Sequence, residues 1–219
     1  MHIGIFGGTF NPIHLGHLRS AEEVREHQRL DRILFIPSAT PPHKQATGVA
    51  AAHHRLAMVR LAIRGNPYFR VSTIELERTG RSYSIDTLRL LHQRLPRARF
   101  AFIIGLDAFR EIATWKDYHS IFGLTDLVVT SRPPYAISSI RNALPVAVRT
   151  QFCYQPKTRT LEHRTGHRIV FQPLTDLDIS ASSIRAQLAR RQSIRYLVPI
   201  AVERYIARHG LYARRVGLH

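Results

Sequence analysis

The sequence predicts an α/β protein in which a parallel β-sheet is covered by helices on both faces. Short apolar segments alternate with longer amphipathic segments along most of the chain, as expected for repeated strand–helix–strand units. The short segments are apolar at successive positions, which indicates strands buried on both faces. Because ligands bind beyond the carboxyl ends of the strands in such sheets, the residues after each predicted strand are the first candidates for function.

In the first half of the chain, strands are predicted at residues 2–6 and 32–37, and extended structure at residues 69–76. The first strand is followed by Gly7-Gly8, and Pro37 ends the second because proline cannot donate to a sheet hydrogen bond. Residues 38–52 include Pro41, Pro42 and Gly48, which predict a loop. Helices are predicted at residues 15 to about 28, 53–64 and 84–95, with Ser84 as the cap of the third.

In the second half, strands are predicted at residues 99–104, 126–130 and 168–171. Gly105 follows the first of these strands, and Pro133-Pro134 ends the second. Two helices are predicted at residues 182–191 and 200–209, with Gly210 as the cap of the last. The stretch from about residue 143 to 166 has no pattern that predicts structure or function.

Length and composition limit the class of protein. A chain of 219 residues with 44% hydrophobic and 21% charged residues is typical of one globular domain. Its apolar runs are shorter than the roughly 18 to 20 residues that a membrane span needs. The N-terminus lacks the pattern of a signal peptide, and the single Cys153 excludes an internal disulfide or a multi-cysteine zinc site. We therefore expect a cytoplasmic enzyme or binding protein.

The formal net charge of +17 favours polyanionic partners such as nucleic acid, anionic membranes or phosphorylated small molecules. Three of the 32 basic residues are lysines and the rest are arginines, which suit bidentate phosphate contacts. The arginines are scattered along the chain, so a compositional bias toward arginine on solvated helix faces explains the net charge more simply. Because no helix-turn-helix, zinc finger or RNP-like motif is present, we expect neither a specific nucleic-acid partner nor a membrane partner.

The most informative motif follows the first strand and reads Gly7-Gly8-Thr9-Phe10-Asn11-Pro12-Ile13-His14-Leu15-Gly16-His17. The two glycines let the backbone approach a ligand, and the helix predicted from Leu15 turns its free N–H groups toward the same edge. His14 and His17 are three residues apart, hence on one face, and can donate to phosphoryl oxygens. Half of a metal site is an alternative, but no third ligand lies at a suggestive spacing. The motif is neither a dinucleotide fingerprint nor a P-loop.

This segment resembles the H-x-G-H signature of the nucleotidyltransferase superfamily and, more closely, that of the bacterial nicotinate-nucleotide adenylyltransferase family. Further blocks are similar to that family in the same order, at residues 37–44, 81–88, 103–107, 114–116, 131–133 and 179–185. The resemblance extends from residue 1 to about residue 212. Asn11 stands where Asp is commoner and Ser84 where Thr is commoner, and both replacements keep a capping oxygen.

The resemblance implies a Rossmann-like, doubly wound parallel sheet of the nucleotidyltransferase type. It also implies one domain over residues 1–219 with a small helical part at about residues 180–212. The implied reaction, in NAD biosynthesis, joins ATP and nicotinate mononucleotide into nicotinate adenine dinucleotide and pyrophosphate. The mononucleotide phosphate attacks the α-phosphorus in line without a covalent enzyme intermediate, so catalysis consists of positioning and charge stabilisation. We expect Mg²⁺ to be bound mainly through the ATP phosphates, because it keeps its waters, and we predict no metal-ligating residue.

Roles for individual residues are implied by their positions in the matching motifs. The resemblance implies catalytic roles for His14, His17 and Arg185. It implies that ATP is bound by Gly7, Gly8, Thr9, Phe10, His17, Gly105, Asp107, Ser182 and Arg185. Asp107 would reach the ribose hydroxyls, and Ser182 and Arg185 would hold the triphosphate. On the mononucleotide side it implies cationic contacts from His43, Lys44 and Arg132, a stacking platform in Trp115, and a ring-carboxylate contact from Ser84.

Alternatives remain open at this point. Trp115 could be a core residue only, Ser84 and Asp107 could be helix caps only, and Lys44 and Arg185 could be solvated. A related enzyme could act on nicotinamide mononucleotide or phosphopantetheine, or transfer a cytidylyl group; the blocks at residues 37–44, 81–88 and 114–116 discriminate among these. A basic nucleic-acid-binding protein is the alternative from another class. A homo-oligomer is compatible with the sequence.

Overall fold

The computed structural model describes residues 1–40, 48–131 and 144–213. Its strands are β1 (His2–Gly8), β2 (Arg32–Pro37), β3 (Phe69–Val71), β4 (Arg99–Gly105), β5 (Asp126–Ser131), β6 (Phe152–Gln155), β7 (Thr160–His163) and β8 (Arg168–Pro173). Its α-helices are α1 (Leu15–His27), α2 (Ala52–Ala62), α3 (Ser84–Arg94), α4 (Leu106–Arg110), α5 (Tyr118–Ile121), α6 (Ala181–Ala189) and α7 (Ile200–Arg208). Two 3₁₀-helices lie at Ile112–Thr114 and Val146–Gln151.

The eight strands form one sheet in the order β3-β2-β1-β4-β5-β8-β7-β6. The strands from β3 to β8 in this order are parallel, and β7 and β6 extend the sheet in antiparallel fashion. The chain runs outward from β1 to β3 and then returns to place β4 on the other side of β1. The order therefore reverses between β1 and β4, and ligands bind beyond the carboxyl ends of the strands at such a point.

Alternating strand residues feed two hydrophobic cores, one on each face of the sheet. Ile5 and Phe102 pack with residues of α3, α4 and α5 on one face. Phe35 and Ile103 pack with residues of α1, α2, α6 and α7 on the other face. This confirms the predicted doubly wound α/β fold and explains why the strands are apolar at successive positions. The fold also contains the predicted C-terminal helices, and α7 buries Val202 and Ile206.

The element boundaries differ from the predictions at several places. Extended structure after residue 68 is limited to β3, and the chain then turns from residue 74 onward. The prediction that Ser84 caps the third helix is wrong, because Tyr83 is the extended N-cap residue and Ser84 is already helical. Helix α6 begins at Ala181, and its cap is Ser180, whose side chain accepts a hydrogen bond from the Ser183 amide at 3.1 Å.

The stretch without a readable pattern, residues 143–166, contains the second 3₁₀-helix and the β6–β7 hairpin. β6 buries only Phe152, and two of the three buried residues of β7, Thr160 and His163, are polar. Neither strand therefore has a hydrophobic pattern that the sequence could indicate. Among the described residues, no helix is both long enough and apolar enough to span a bilayer.

Candidate active site

Two adjacent cavities open at the carboxyl ends of the strands, the first at β1 and β4 and the second at β4 and β5. The first has a volume of about 330 Å³ and is lined by residues that include Gly8, Thr9 and Trp115. The second has a volume of about 510 Å³ and is lined by residues that include His14, His17 and Asp107. Among the described residues, Gly105 at the end of β4 is the one that lines both cavities. A Cβ atom built on Gly105 would meet no protein atom within 4 Å, so the space above this glycine is open.

The histidine pair lies at the beginning of α1, as the sequence predicted. His14 is the N-cap residue, and its ring is stacked on that of His17 with the centroids 3.6 Å apart and the planes 31° apart. The backbone N–H of His14 donates to Nδ1 of His17 at 3.2 Å. Because Nδ1 accepts this bond, the neutral ring carries its proton on Nε2. His17 is therefore oriented to act as a donor through Nε2.

Aromatic neighbours hold the His17 ring in place. The centroid of Phe10 lies 5.3 Å from that of His17 in an edge-on arrangement, and Phe6 lies at 6.1 Å. Phe10 is 3% exposed and has a positive φ of 48°, so its side chain supports the site from below and only its backbone can contact a ligand. Gly16 leaves room for the His14 ring, because a Cβ atom on residue 16 would lie only 3.1 Å from Nδ1 of that ring.

The second cavity contains polar groups suited to a nucleotide. Gly105 is the N-cap of α4, and the Asp107 side chain in the first turn of that helix is 97% exposed. Ser180 and Ala181 bring the N-terminus of α6 into the lining. Ser182 is exposed on the same helix end. The guanidinium of Arg185 donates to the backbone oxygen of Asn11 at 2.8 Å. Neither Ser182 nor Arg185 is among the residues that line this cavity.

The first cavity combines an aromatic wall with the beginning of a helix. Trp115 is half-buried, lies 6.2 Å from the ring of Phe102, and lines the cavity, so it is not a core residue only. Tyr83 and Ser84 bring the N-terminus of α3 into the lining, and within the described parts of the chain the N-cap residue Tyr83 makes no side-chain cap hydrogen bond. Lys116 packs against this end through its ion pair with Asp86 at 2.9 Å. An uncapped helix N-terminus favours a negatively charged group.

Three predicted contacts, His43, Lys44 and Arg132, lie outside the described residues. Gly7, Gly8 and Thr9, which the resemblance assigns to ATP, line the first cavity and not the cavity that contains the histidine pair.

Two charged residues of the site were missed from the sequence. Glu75 is 8% exposed, lines the first cavity and accepts a hydrogen bond from the Thr87 hydroxyl at 2.7 Å; burial raises the pKa of its carboxyl group. Arg55 is fully buried in α2. Arg55 precedes the buried Val59 by four residues and thus lies on the same face of the helix. A charged residue on an apolar helix face is the sequence signal that could have identified it.

Comparisons with known proteins agree with this architecture. A family model described as cytidylyltransferase-like matches residues 5–187. A protein of Syntrophotalea carbinolica named "Probable nicotinate-nucleotide adenylyltransferase" is 53% identical over 97% of both chains. A protein of Geobacter sulfurreducens with the same name is 50% identical over 97% of this chain and 99% of its own.

Solved structures show the same fold at lower sequence identity. The nicotinic acid mononucleotide adenylyltransferase of Plasmodium falciparum complexed with NaAD has a TM-score of 0.74 and 18% identity, over 96% of this chain and 97% of that one. The same enzyme complexed with APC gives a TM-score of 0.72. From the family match and the two bacterial relatives, the chain belongs to the cytidylyltransferase-like family and, within it, to the nicotinate-nucleotide adenylyltransferases.

Proposed function

We propose that this chain joins ATP and nicotinate mononucleotide into nicotinate adenine dinucleotide and pyrophosphate, as a step of NAD biosynthesis. The observation that carries the proposal is the pair of cavities that meet at Gly105. One has polar groups and two histidines suited to a triphosphate. The other has an aromatic wall and a helix N-terminus suited to a pyridine carboxylate. A reaction that joins two nucleotides requires two such sites side by side.

ATP is assigned to the second cavity. The N-terminus of α1 with His14 and His17, and the N-terminus of α6, supply donors for phosphate oxygens. Asp107 is well placed for the ribose hydroxyls because its carboxylate is exposed at the cavity. We assign Arg185 and Ser182 to the outer phosphates, and Gly7, Gly8, Thr9 and the backbone of Phe10 to the phosphates at the reaction centre.

Nicotinate mononucleotide is assigned to the first cavity. Trp115 provides a flat face for the pyridine ring, and stacking of this kind contributes roughly 1–3 kcal/mol per base in nucleic-acid complexes. The ring carboxylate is assigned to Ser84 and the neighbouring amides at the N-terminus of α3, where the helix dipole favours a negative charge. His43, Lys44 and Arg132 are proposed as cationic contacts to the same substrate.

The mechanism follows from the positions of these groups. The mononucleotide phosphate is already a nucleophile, so the protein does not need to activate it. His17 donates from Nε2 to an oxygen of the α-phosphate, where negative charge grows as the new bond forms. His14 holds the reacting phosphates from the adjacent position in the stacked pair. Pyrophosphate leaves toward α6, and Arg185 stabilises its charge.

Mg²⁺ is proposed as the metal that accompanies ATP. Among the residues that the structure describes, no three His, Cys, Asp or Glu side chains are grouped so that they could hold a metal ion. The cavity lining fits a metal carried by phosphates and water, because Asp107 is its one carboxylate within the described ranges. When bound, the metal neutralises charge on the leaving pyrophosphate.

We further propose that the chain forms a single nucleotidyltransferase domain and acts in the cytoplasm.

The proposal is tested by measuring pyrophosphate release by the purified protein. ATP and CTP are each combined with nicotinate mononucleotide, nicotinamide mononucleotide or phosphopantetheine. We expect turnover with ATP and nicotinate mononucleotide to exceed that of every other pair. A clear preference for the amide-containing mononucleotide would overturn the assignment of the ring carboxylate to α3. Tight, salt-resistant binding of RNA without ATP turnover would instead favour a nucleic-acid-binding protein.

A further inference from the structure

We propose that Arg55 is a positioning residue that sets the spacing between the loop after β1 and the loop after β2, and thereby between the two substrates. The inference rests on the proposed function, because it concerns how the two substrate sites are kept in register. Arg55 lines neither of the two cavities. Its effect is therefore exerted through the backbone of the loops that do.

The guanidinium of Arg55 binds three carbonyl groups from separate points of the chain. It is 1% exposed. Nη1 donates to the oxygen of Thr9 at 2.8 Å, and Nη2 donates to the oxygen of Ala39 at 3.1 Å. Nε donates to the oxygen of Ala50 at 2.9 Å. Since a guanidinium is planar and rigid, these bonds fix the relative positions of the segments that they join.

In the proposed function the two joined loops serve different groups: the loop after β1 holds the reacting phosphates, and the loop after β2 holds the acceptor. Thr9 follows β1 and lines the cavity assigned to the mononucleotide, next to the glycines assigned to the reacting phosphates. A charged donor on the Thr9 oxygen also polarises that peptide group, which strengthens the next amide, that of Phe10, as a donor. Ala39 follows β2, where the family resemblance places acceptor contacts. A displacement of one loop against the other would move the attacking and the attacked phosphate apart.

The bridge continues from Ala39 to the beginning of α3. The amide of Ala39 donates to the Ser82 hydroxyl at 3.0 Å. The hydroxyls of Ser82 and Thr87 both hydrogen-bond to the Glu75 carboxyl group, the latter at 2.7 Å. A continuous series of hydrogen bonds thus runs from Thr9 through Arg55 to Glu75, which lines the acceptor cavity. Arg55 is the member of the series that connects the two loops directly.

Stability alone does not explain a cation at this place. Within the described residues, no carboxylate lies within ion-pairing distance of Arg55, and its acceptors are backbone oxygens. Burial lowers the pKa of the guanidinium, which reflects the cost of removing the charge from water. Even a buried ion pair can often be replaced by apolar residues without loss of stability, so burial of a charge is not by itself a sign of stabilisation. A buried arginine with this geometry is better explained by the precision with which it holds the loops.

The test compares Arg55→Lys and Arg55→Ala with Arg60→Ala, which removes an exposed arginine from the same helix. Turnover and KM for each substrate are measured, and folding is monitored by circular dichroism. We expect Arg55→Lys to keep the fold and to lower kcat about 10- to 100-fold, because misplacement of reacting groups by about 1 Å costs about 10²-fold. KM for both substrates should change much less than kcat. Arg60→Ala should match the parent.

Chemical rescue separates positioning from general support of the fold. Guanidinium at millimolar concentration should restore at least about a tenth of the lost kcat to Arg55→Ala, and should have no such effect on Arg60→Ala. If Arg55→Lys retains kcat within threefold of the parent, or if neither Arg55 variant folds, the proposal is overturned. If the parent itself does not turn over ATP and nicotinate mononucleotide, the proposed function fails first and this inference fails with it.

Discussion

The tautomer of His17 gives the most specific prediction about catalysis, because two substitutions can each remove one of its ring nitrogens. In His17→Asn the side-chain oxygen can replace Nδ1 as the acceptor for the His14 amide, whereas no atom replaces Nε2. In His17→Gln the amide nitrogen reaches the position of Nε2, whereas the acceptor near the backbone is lost. The two variants thus separate the effect of losing the Nε2 donor from the effect of losing the acceptor that caps the helix.

The expected magnitudes follow from the two hydrogen bonds. The bond at 3.2 Å satisfies an amide at the beginning of α1, and loss of such a cap costs about 0.5–2 kcal/mol of stability. Removal of one donor aimed at developing charge lowers kcat by about 10²–10³-fold, or about 2.7–4 kcal/mol. We therefore expect His17→Asn to be as stable as the parent but far less active. His17→Gln should be less stable and retain more activity than His17→Asn.

Both quantities are measurable on the same preparations. Urea unfolding at pH 7 gives the stability, and pyrophosphate release at saturating ATP and nicotinate mononucleotide gives kcat. His17→Ala lacks both groups and should combine the two losses. If His17→Asn retains nearly the parental kcat, or if the two variants rank in the opposite order, the assignment of the Nε2 donor is refuted.

Three further predictions concern charge, stacking and metal. Burial raises the pKa of Asp126, but hydrogen bonds from His167 and Arg99 outweigh it and hold the pKa at about 2 against an ordinary 3.8. The ionised carboxylate therefore stabilises the fold above pH 3.8, and this stabilisation is lost as the pH falls toward 2. Asp126→Asn should lower the free energy of unfolding in urea by about 2 kcal/mol at pH 7 and by about half as much at pH 3. Trp115→Ala should raise KM for nicotinate mononucleotide about tenfold or more and leave KM for ATP nearly unchanged, while Trp115→Phe should behave like the parent; equal effects on both substrates would contradict the stacking role. EDTA should abolish turnover, Mg²⁺ should restore it, and the thermal unfolding temperature should stay the same, because the metal is proposed to be bound with ATP and not by the fold.

The central part of the fold was predictable because its strands are buried on both faces. The segments from Arg32 to Pro37 and from residue 99 to 104 are apolar at successive positions, and each is bounded by proline or glycine, which fixes both type and limits. The β6–β7 hairpin lacked such a signal, since Cys153, Tyr154 and Gln155 are exposed at the edge of the sheet. Short edge strands are determined by the neighbour they pair with, and that information is not local in sequence.

The site was predictable to the extent that its residues adjoin strand ends. His14, His17 and Gly105 follow buried strands, so their convergence at one edge of the sheet follows from topology. Arg55 and Glu75 act from within a helix and from an irregular turn, and they are connected by contacts between segments distant in the chain. A single sequence does not encode such contacts in its local pattern. The family resemblance supplied the substrate roles, which composition and spacing alone would have left open.

The open surface above Gly105 has a consequence for inhibitor design. A compound that links an adenosine-like group to a pyridine carboxylic acid could occupy both cavities at once if its linker crossed this glycine. Its second half would then bind at a high effective concentration, so its affinity could exceed that of either half by a large factor. Replacing Gly105 by a residue with a bulky side chain would fill the crossing point and provide a ready means of confirming how such a compound binds.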